Sequence, residues 1–74
     1  MVTTLNKFPK NNPSVIKEIT DIFVSEQLAS FGFHVGTELS ILSKLPFDGP
    51  IMCEGNNSRI AIRAEDAATI VVTG

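Results

Sequence analysis

The chain has 74 residues, of which 43% are hydrophobic, and a formal net charge of −2. A chain of this length has room for one folded core and no second domain, and a composition this apolar excludes an intrinsically disordered segment. The six basic residues are spread from Lys7 to Arg63 without a cluster that could follow a phosphate backbone. We therefore expect no nucleic-acid partner.

Apolar runs and cysteine usage bear on the cellular compartment. The longest apolar runs, such as Ile70 to Val72, are far shorter than the roughly 20 residues of a membrane-spanning helix. Cys53 is the only cysteine, and no basic start followed by an apolar stretch and a cleavage site marks a signal peptide. We expect a soluble, cytoplasmic protein that is not itself inserted in a membrane and exists as a monomer or a weak homo-oligomer.

The N-terminal residues 1–13 show no sustained periodicity of the helical or the strand kind. They mix polar residues and two prolines around two apolar anchors, Leu5 and Phe8. Because prolines and polar clusters interrupt regular structure, we predict an irregular arm held by these anchors. The folded module is then expected to span residues 14–74.

The first strand is predicted from Ser14 to Phe23, because β-branched residues dominate this segment. Successive side chains in a strand point to opposite faces. We therefore expect Val15, Lys17 and Ile19 to share one side of the pleat.

A helix of about two turns is predicted next, from the residues that suit its ends. Ser25 stands where an N-cap residue is expected, and Gly32 stands where a left-handed residue ends a helix. Leu28 and Phe31 are three residues apart, so both are expected to face the core. Phe33 is expected to fold back onto the same patch.

The second half of the chain alternates strand and turn signals. Further strands are predicted at residues 38–44, 51–54, 59–63 and 69–73, with a single helical turn at 64–68. Pro46 to Pro50 and Gly55 to Ser58 carry the residues of tight turns. These elements predict a mainly β fold, a small closed or nearly closed barrel of five strands with one short helix, because closure removes exposed strand edges.

An ordered set of residues makes the chain recognisable. Leu28 is followed, after two residues, by the apolar Phe31 and by Gly32. The apolar Phe33 comes next, and after two further residues come Gly36 and Thr37. This pattern resembles the signature of the FeoA family, and the resemblance continues at residues 47–51, 60–63, 67 and 70–72. Each part is weak alone, but the ordered set at fixed separations is specific.

The resemblance implies an SH3-like β-barrel with no catalysis of its own. It also implies docking on the cytoplasmic portion of FeoB, the membrane ferrous iron transporter, which would place the protein at the inner membrane through its partner. The same barrel resembles the C-terminal domain of iron-dependent repressors. A metal-responsive regulator or a divalent-metal-binding module therefore stays open as the alternative.

An interaction module needs a surface, and the predicted helix and the Pro46 to Pro50 turn are the candidates. The predicted partner-binding residues are Leu28, Phe31, Phe33, Phe47 and Pro50. Phe47 is expected to be exposed, because it lies on a turn between two prolines where an extended partner segment could bind. Four glycines are assigned to turns: Gly32, Gly36, Gly49 and Gly55.

His34 and Cys53 are the candidate metal ligands, and they fall short of the four ligands of a closed transition-metal site. We therefore expect no cofactor, Cys53 as a small core residue and His34 as a turn residue. One alternative stays open. Two copies could pool these side chains and nearby acids such as Glu54 to hold Fe²⁺ or another divalent ion.

Catalysis is not expected from this sequence. General acid–base chemistry needs two acids that converge in a cleft, whereas the acids here are scattered along the chain. The serines lack a glycine elbow and have only His34 as a base, and the glycines do not form a phosphate-binding loop.

Overall fold

The computed structural model describes residues 1–74 and contains one antiparallel sheet of six strands. In chain order the strands are β1 Val2–Thr4, β2 Pro13–Ile19, β3 Glu38–Lys44, β4 Ile51–Gly55, β5 Ser58–Ile62 and β6 Ile70–Thr73. The helices are α1 Ile22–Ala29 and the single-turn α2 Ala64–Ala67, and a 3₁₀ turn spans Leu5–Lys7. The mainly β class with one short helix is confirmed, and there is one strand more than the five predicted.

The sheet curls around a single core. Its strand order is β1-β6-β2-β3-β4-β5, so β1 and β5 are the two edges. The molecule measures 26 × 23 × 22 Å, and 14 buried hydrophobic residues form one cluster inside it. Because β1 and β5 do not pair with each other, the barrel stays open along the seam between them.

The prediction of an irregular arm over residues 1–13 is wrong in its first part. Val2–Thr4 pairs antiparallel with β6, in the register Val2 with Thr73 and Thr4 with Val71. A strand of three residues is too short to show a periodicity, and it forms because β6 offers an unpaired edge. The two predicted anchors are confirmed, since Leu5 and Phe8 are buried in the core.

Strand β2 ends at Ile19, four residues before the predicted end, and Ile19 does not share one side with Val15 and Lys17 as predicted. Ser14 and Ile16 are the buried residues, and the register against β6 shifts between Ile16 and Glu18. This bulge turns the following part of the strand over, so that Ile19 packs against the core. The buried hydroxyl of Ser14 donates a hydrogen bond of 3.0 Å to the Leu39 carbonyl oxygen.

Helix α1 begins earlier than predicted, because Asp21 and not Ser25 is its N-cap. The Asp21 carboxylate accepts hydrogen bonds from the backbone N–H of Phe23 at 2.9 Å and of Val24 at 3.2 Å. An N-cap of this kind stabilises a helix by about 1 kcal/mol, enough to outweigh the mild strand preference of the β-branched residues that follow it.

The turn glycines divide into two pairs. Gly32 and Gly36 have positive φ angles of 84° and 96°, as a left-handed turn residue requires. Gly49 and Gly55 do not, and in both hairpins other residues take the left-handed conformation. A side chain at Gly55 would meet the Glu38 carbonyl oxygen, so this glycine is required for close packing.

Two hairpins join β3 to β4 and β4 to β5. Asn56 and Asn57, with φ angles of 51° and 60°, form the two-residue turn between β4 and β5 that the sequence predicts. Phe47 and Asp48, with φ angles of 59° and 57°, occupy the turn between β3 and β4. The single helical turn leading into the last strand is also confirmed.

Candidate functional site

Nine large apolar side chains remain exposed on the surface of this small protein. Two groups of them lie close together in the fold. Ile22, Phe23 and Phe31 belong to helix α1 and the turn after it, and Leu45 and Phe47 belong to the β3–β4 turn. Phe31 and Phe47 are predicted partner-binding residues, whereas Ile22 and Phe23 lie in the segment predicted as the first strand.

An apolar groove lies between helix α1 and strand β5, and we call it the α1–β5 groove. Its volume is about 160 Å³. Six of its nine lining residues are hydrophobic: Val24, Leu28, Phe31, Ile60, Ala61 and Ile62. The groove exists because β5 has no strand on its outer side, so the helix rather than another strand faces that edge.

Helical spacing explains which side chains line the groove and which form its rim. Val24 and Leu28 are four residues apart on the inner side of α1 and are buried. Gln27, one position before Leu28, is exposed and lines the groove at its edge, whereas Phe23 does not line it. Phe23 is 77% exposed, and Phe31 borders the groove with 53% of its surface exposed.

Phe33, and not Phe31, occupies the core position that helical spacing suggests for Phe31. Helix α1 ends at Ala29, and the N–H groups of Phe31 and Phe33 both bond the Leu28 carbonyl oxygen, at 3.0 and 2.9 Å. The chain reverses at Gly32, so Phe33 enters the core with no exposed surface while Phe31 stays outside. The prediction that Phe31 faces the core is wrong, and so is the prediction that Phe33 contacts a partner.

The β3–β4 turn presents Phe47 completely to solvent, as the sequence predicts. Leu45 beside it is 56% exposed, and Pro50 is also exposed. A shallow depression of about 130 Å³ separates this turn from the start of α2 at Ala64. Arg63 and Asp66 of the same region line the α1–β5 groove, so the α2 region contributes residues to both depressions.

Charges next to the groove are paired within the chain. The Arg63 guanidinium lies 3.1 Å from Asp66 and 3.5 Å from Glu65, and its hydrogen bond to Asp66 raises the pKa of Arg63. Arg59 pairs with Glu54 across the β4–β5 hairpin at 2.9 Å. The groove therefore has an apolar floor and a rim of neutralised arginines.

The two candidate metal ligands lie in different surroundings. His34 is an exposed turn residue as predicted, whose N–H donates to the Thr37 hydroxyl at 3.1 Å. Cys53 is completely buried as predicted, and this burial raises the pKa of its thiol to about 11. A neutral thiol inside the core cannot reach a metal ion shared with a second copy. Cys53 is therefore removed from the candidate ligands of a metal site formed by two copies.

The sequence interpretation missed Val24, Ile60, Ala61 and Ile62 as lining residues of a surface groove. Ile60 and Ile62 lie on the inner face of β5 and pack against the core. The pattern of alternation does not reveal that this strand is an edge, however, so it cannot show that its inner face continues into a groove. Neither helix is long and apolar enough to span a membrane.

This curled sheet with one helix beside its open seam defines a small SH3-like β-barrel domain. The chain belongs to the FeoA family, because the model of the FeoA domain matches residues 3–74. The resemblance found in the sequence is thus confirmed, and the family is linked to ferrous iron transport. No curated protein matches the chain in sequence.

Solved structures agree with this assignment. The crystal structure of an iron uptake regulatory protein, FeoA, is 25% identical with a TM-score of 0.83, over 97% of this chain and 94% of that one. Iron(II) transport protein A from Clostridium thermocellum is 30% identical with a TM-score of 0.85, over 95% of this chain and 44% of that one.

Two further structures bear on function and on fold. The zinc complex of Stenotrophomonas maltophilia FeoA is 25% identical with a TM-score of 0.81, over 96% of this chain and 89% of that one. It is described as a prokaryotic SH3 domain protein and a candidate activating factor of ferrous iron transport. A manganese-dependent transcriptional repressor reaches a TM-score of 0.89 at 18% identity, over 36% of its own chain, and shows the fold alone.

Proposed function

We propose that this protein is a non-enzymatic accessory of bacterial ferrous iron uptake that docks on the cytoplasmic portion of a FeoB-type transporter. The observation that carries the proposal is the α1–β5 groove with the exposed Phe31 at its border. The family's link to ferrous iron transport supports the choice of partner. Such a role places the protein in the cytoplasm and, through its partner, at the inner membrane.

The groove has the properties of a protein-binding hot spot. Hot spots are apolar depressions bordered by an aromatic side chain, and a few such residues contribute most of the binding energy. A partner side chain that enters the groove would contact Leu28 and Ile60 on its walls and Phe31 at its border. The exposed Phe47 on the β3–β4 turn offers a second contact.

Catalysis has no support in the side chains available. His34 lies on a turn and does not line the groove, and Cys53 is a neutral thiol in the core, so neither supplies a general base or a nucleophile at the groove. The acids near the groove are occupied by Arg63. We therefore assign binding, and no reaction, to the groove.

Calorimetric titration against the purified cytoplasmic portion of the transporter tests this proposal. Phe31→Ala should weaken binding by about tenfold or more, the effect of removing a hot-spot aromatic. Val35→Ala is the matched control, because Val35 is exposed to a similar degree but does not line the groove. Phe47→Ala measures the contribution of the turn. Absence of binding by the unaltered protein at high micromolar concentration would contradict the proposal.

A second candidate function is a metal-responsive or divalent-metal-binding module. The zinc-complexed relative favours it, and the exposed His34 is the soft ligand available for a site between two copies. Equilibrium dialysis with Fe²⁺ under anaerobic conditions tests it, with sedimentation to detect a homo-oligomer. Under this hypothesis His34→Ala loses the ion while Cys53→Ser retains it. Equal retention by the unaltered protein and His34→Ala would end the hypothesis for this ligand.

A further inference from the structure

Strand β5 is an edge of the sheet, and its pairing with β4 determines which of its backbone groups are free. The turn at Asn56 and Asn57 makes Gly55 and Ser58 a hydrogen-bonded pair, as in every two-residue hairpin. Hydrogen-bonded and non-hydrogen-bonded pairs then alternate along the strand. Ile60 and Ile62 therefore bond to β4, while Arg59 and Ala61 direct their N–H and C=O groups away from it.

These outward backbone groups have no other partner in the chain. None of the hydrogen bonds outside regular structure involves the backbone of Arg59 or Ala61, and no side chain bonds to it. Helix α1 faces this edge but leaves the groove between them. Two residues of β5 thus offer a row of unpaired donors and acceptors directly beside an apolar groove.

The volume of the groove limits what can enter it. At about 160 Å³ it is close to the roughly 150 Å³ of an engineered protein cavity that admits benzene. One side chain of the size of leucine or phenylalanine fits. Residues of an added strand that lie opposite Ile60 and Ile62 would share their inner face and point toward Leu28.

Charge on the outer face selects the occupant further. Arg59 and Arg63 flank Ala61 and are both about 70% exposed. Arg63 bonds to Asp66 through Nε and one Nη, whereas Arg59 bonds to Glu54 through Nε alone and keeps both Nη groups free of hydrogen bonds within the chain. A second copy paired antiparallel about Ala61 would place Arg59 opposite the other copy's Arg63, which is unfavourable. A foreign strand with an acidic residue on its outer face would meet a complementary charge.

We propose that the edge of β5 binds an extended segment of its partner by strand addition. The backbone of that segment pairs with Arg59 and Ala61, one apolar side chain fills the α1–β5 groove, and an acidic side chain on the opposite face accepts hydrogen bonds from the free Nη groups of Arg59. This inference rests on the proposed function, because it describes how the cytoplasmic portion of the transporter is bound.

Amide hydrogen exchange measured by NMR tests the inference directly, with and without the cytoplasmic portion of the transporter. In the free protein the amides of Arg59 and Ala61 should exchange fast, while those of Ile60 and Ile62, which bond to β4, exchange slowly. On binding, exchange at Arg59 and Ala61 should slow by about tenfold or more, as for a newly formed strand pair.

A substitution at one position supplies an independent test. Ala61→Pro removes an outward N–H without removing a bond to β4, and proline is tolerated at such edge positions. It should weaken binding by about tenfold. The control Val35→Ala changes an exposed side chain that does not line the groove, and it should bind within about twofold of the unaltered protein. Amide exchange at Ile60 and Ile62 reports whether each variant keeps its β4–β5 pairing.

The outcomes separate the inference from the proposed function. Binding that leaves exchange at Arg59 and Ala61 unchanged, with Ala61→Pro binding normally, overturns strand addition but leaves docking intact. No binding by the unaltered protein overturns both. If the amides of Arg59 and Ala61 exchange slowly in the free protein, and more slowly at higher protein concentration, the occupant is a second copy and the inference is overturned.

Discussion

The core and the α1–β5 groove are built from the same kinds of side chain but serve opposite purposes. Phe33 lies in the core with no exposed surface, and Phe31, two residues before it, borders the groove with half of its surface exposed. The chain reversal at Gly32 separates them. The comparison shows that one short segment can divide its aromatic residues between stability and binding when its turn permits a left-handed residue.

The largest expected effect tests this division directly. Phe33→Ala should lower the free energy of unfolding by about 3–5 kcal/mol, because it leaves a cavity in the centre of a small core. Phe31→Ala should lower it by less than about 1 kcal/mol, because its side chain remains largely in water. Urea denaturation measures both changes. Equal losses from the two variants would contradict the division between core and groove.

The core also contains a group that makes the stability of the protein depend on pH. Burial opposes the ionisation of the Cys53 thiol. Its pKa is raised from 9.0 to about 11, so the folded state keeps the thiol neutral at a pH where the unfolded chain loses the proton. The associated stability is fully present below pH 9.0 and is lost as pH rises toward about 11. The loss should amount to about 3 kcal/mol.

Thermal or urea unfolding at a series of pH values measures this loss. Cys53→Ala is the control, because it retains the titration of the lysines but has no thiol. Its stability should fall less steeply over the same interval. Identical pH profiles for the two proteins would show that the thiol is already ionised in the folded state, or that its burial is not maintained.

The smallest expected effect compares the two hairpin turns. Asn56 and Asn57 adopt the left-handed conformation at low cost, whereas Phe47 adopts it at a cost of about 1–2 kcal/mol. Phe47→Asn should therefore stabilise the protein by about 0.5–1 kcal/mol while removing an exposed aromatic from the proposed docking surface. The reverse change, Asn56→Phe, should destabilise it. A destabilised Phe47→Asn would indicate that Phe47 makes contacts in the folded protein.

The elements that the sequence predicts correctly are those whose signals are local. Asn56 and Asn57 between two alternating strands form the expected hairpin, and Phe47 between prolines is exposed as expected. The buried state of Cys53 follows from alternation with Ile51 in the same strand. Each of these outcomes depends on a few neighbouring residues, so no distant contact is needed to predict it.

The predictions that are wrong depend on contacts made elsewhere in the chain. Val2–Thr4 becomes a strand only because β6 presents a free edge to it. The inward side of β2 changes at a bulge that its pairing with β6 imposes. Phe31 lies outside the core and Phe33 inside it, because the chain reverses at Gly32 between them. None of these partners is adjacent in the sequence.

The order of the residues by itself determined the β class, the turns, the core character of most apolar positions and the membership of the FeoA family. Tertiary structure alone decided which strands became edges, and therefore where the groove and the unpaired backbone of β5 lie. The physical reason is the sequence distance over which each effect acts. Turn preferences and alternation act over a few residues, whereas an edge is defined by the strand that is missing beside it.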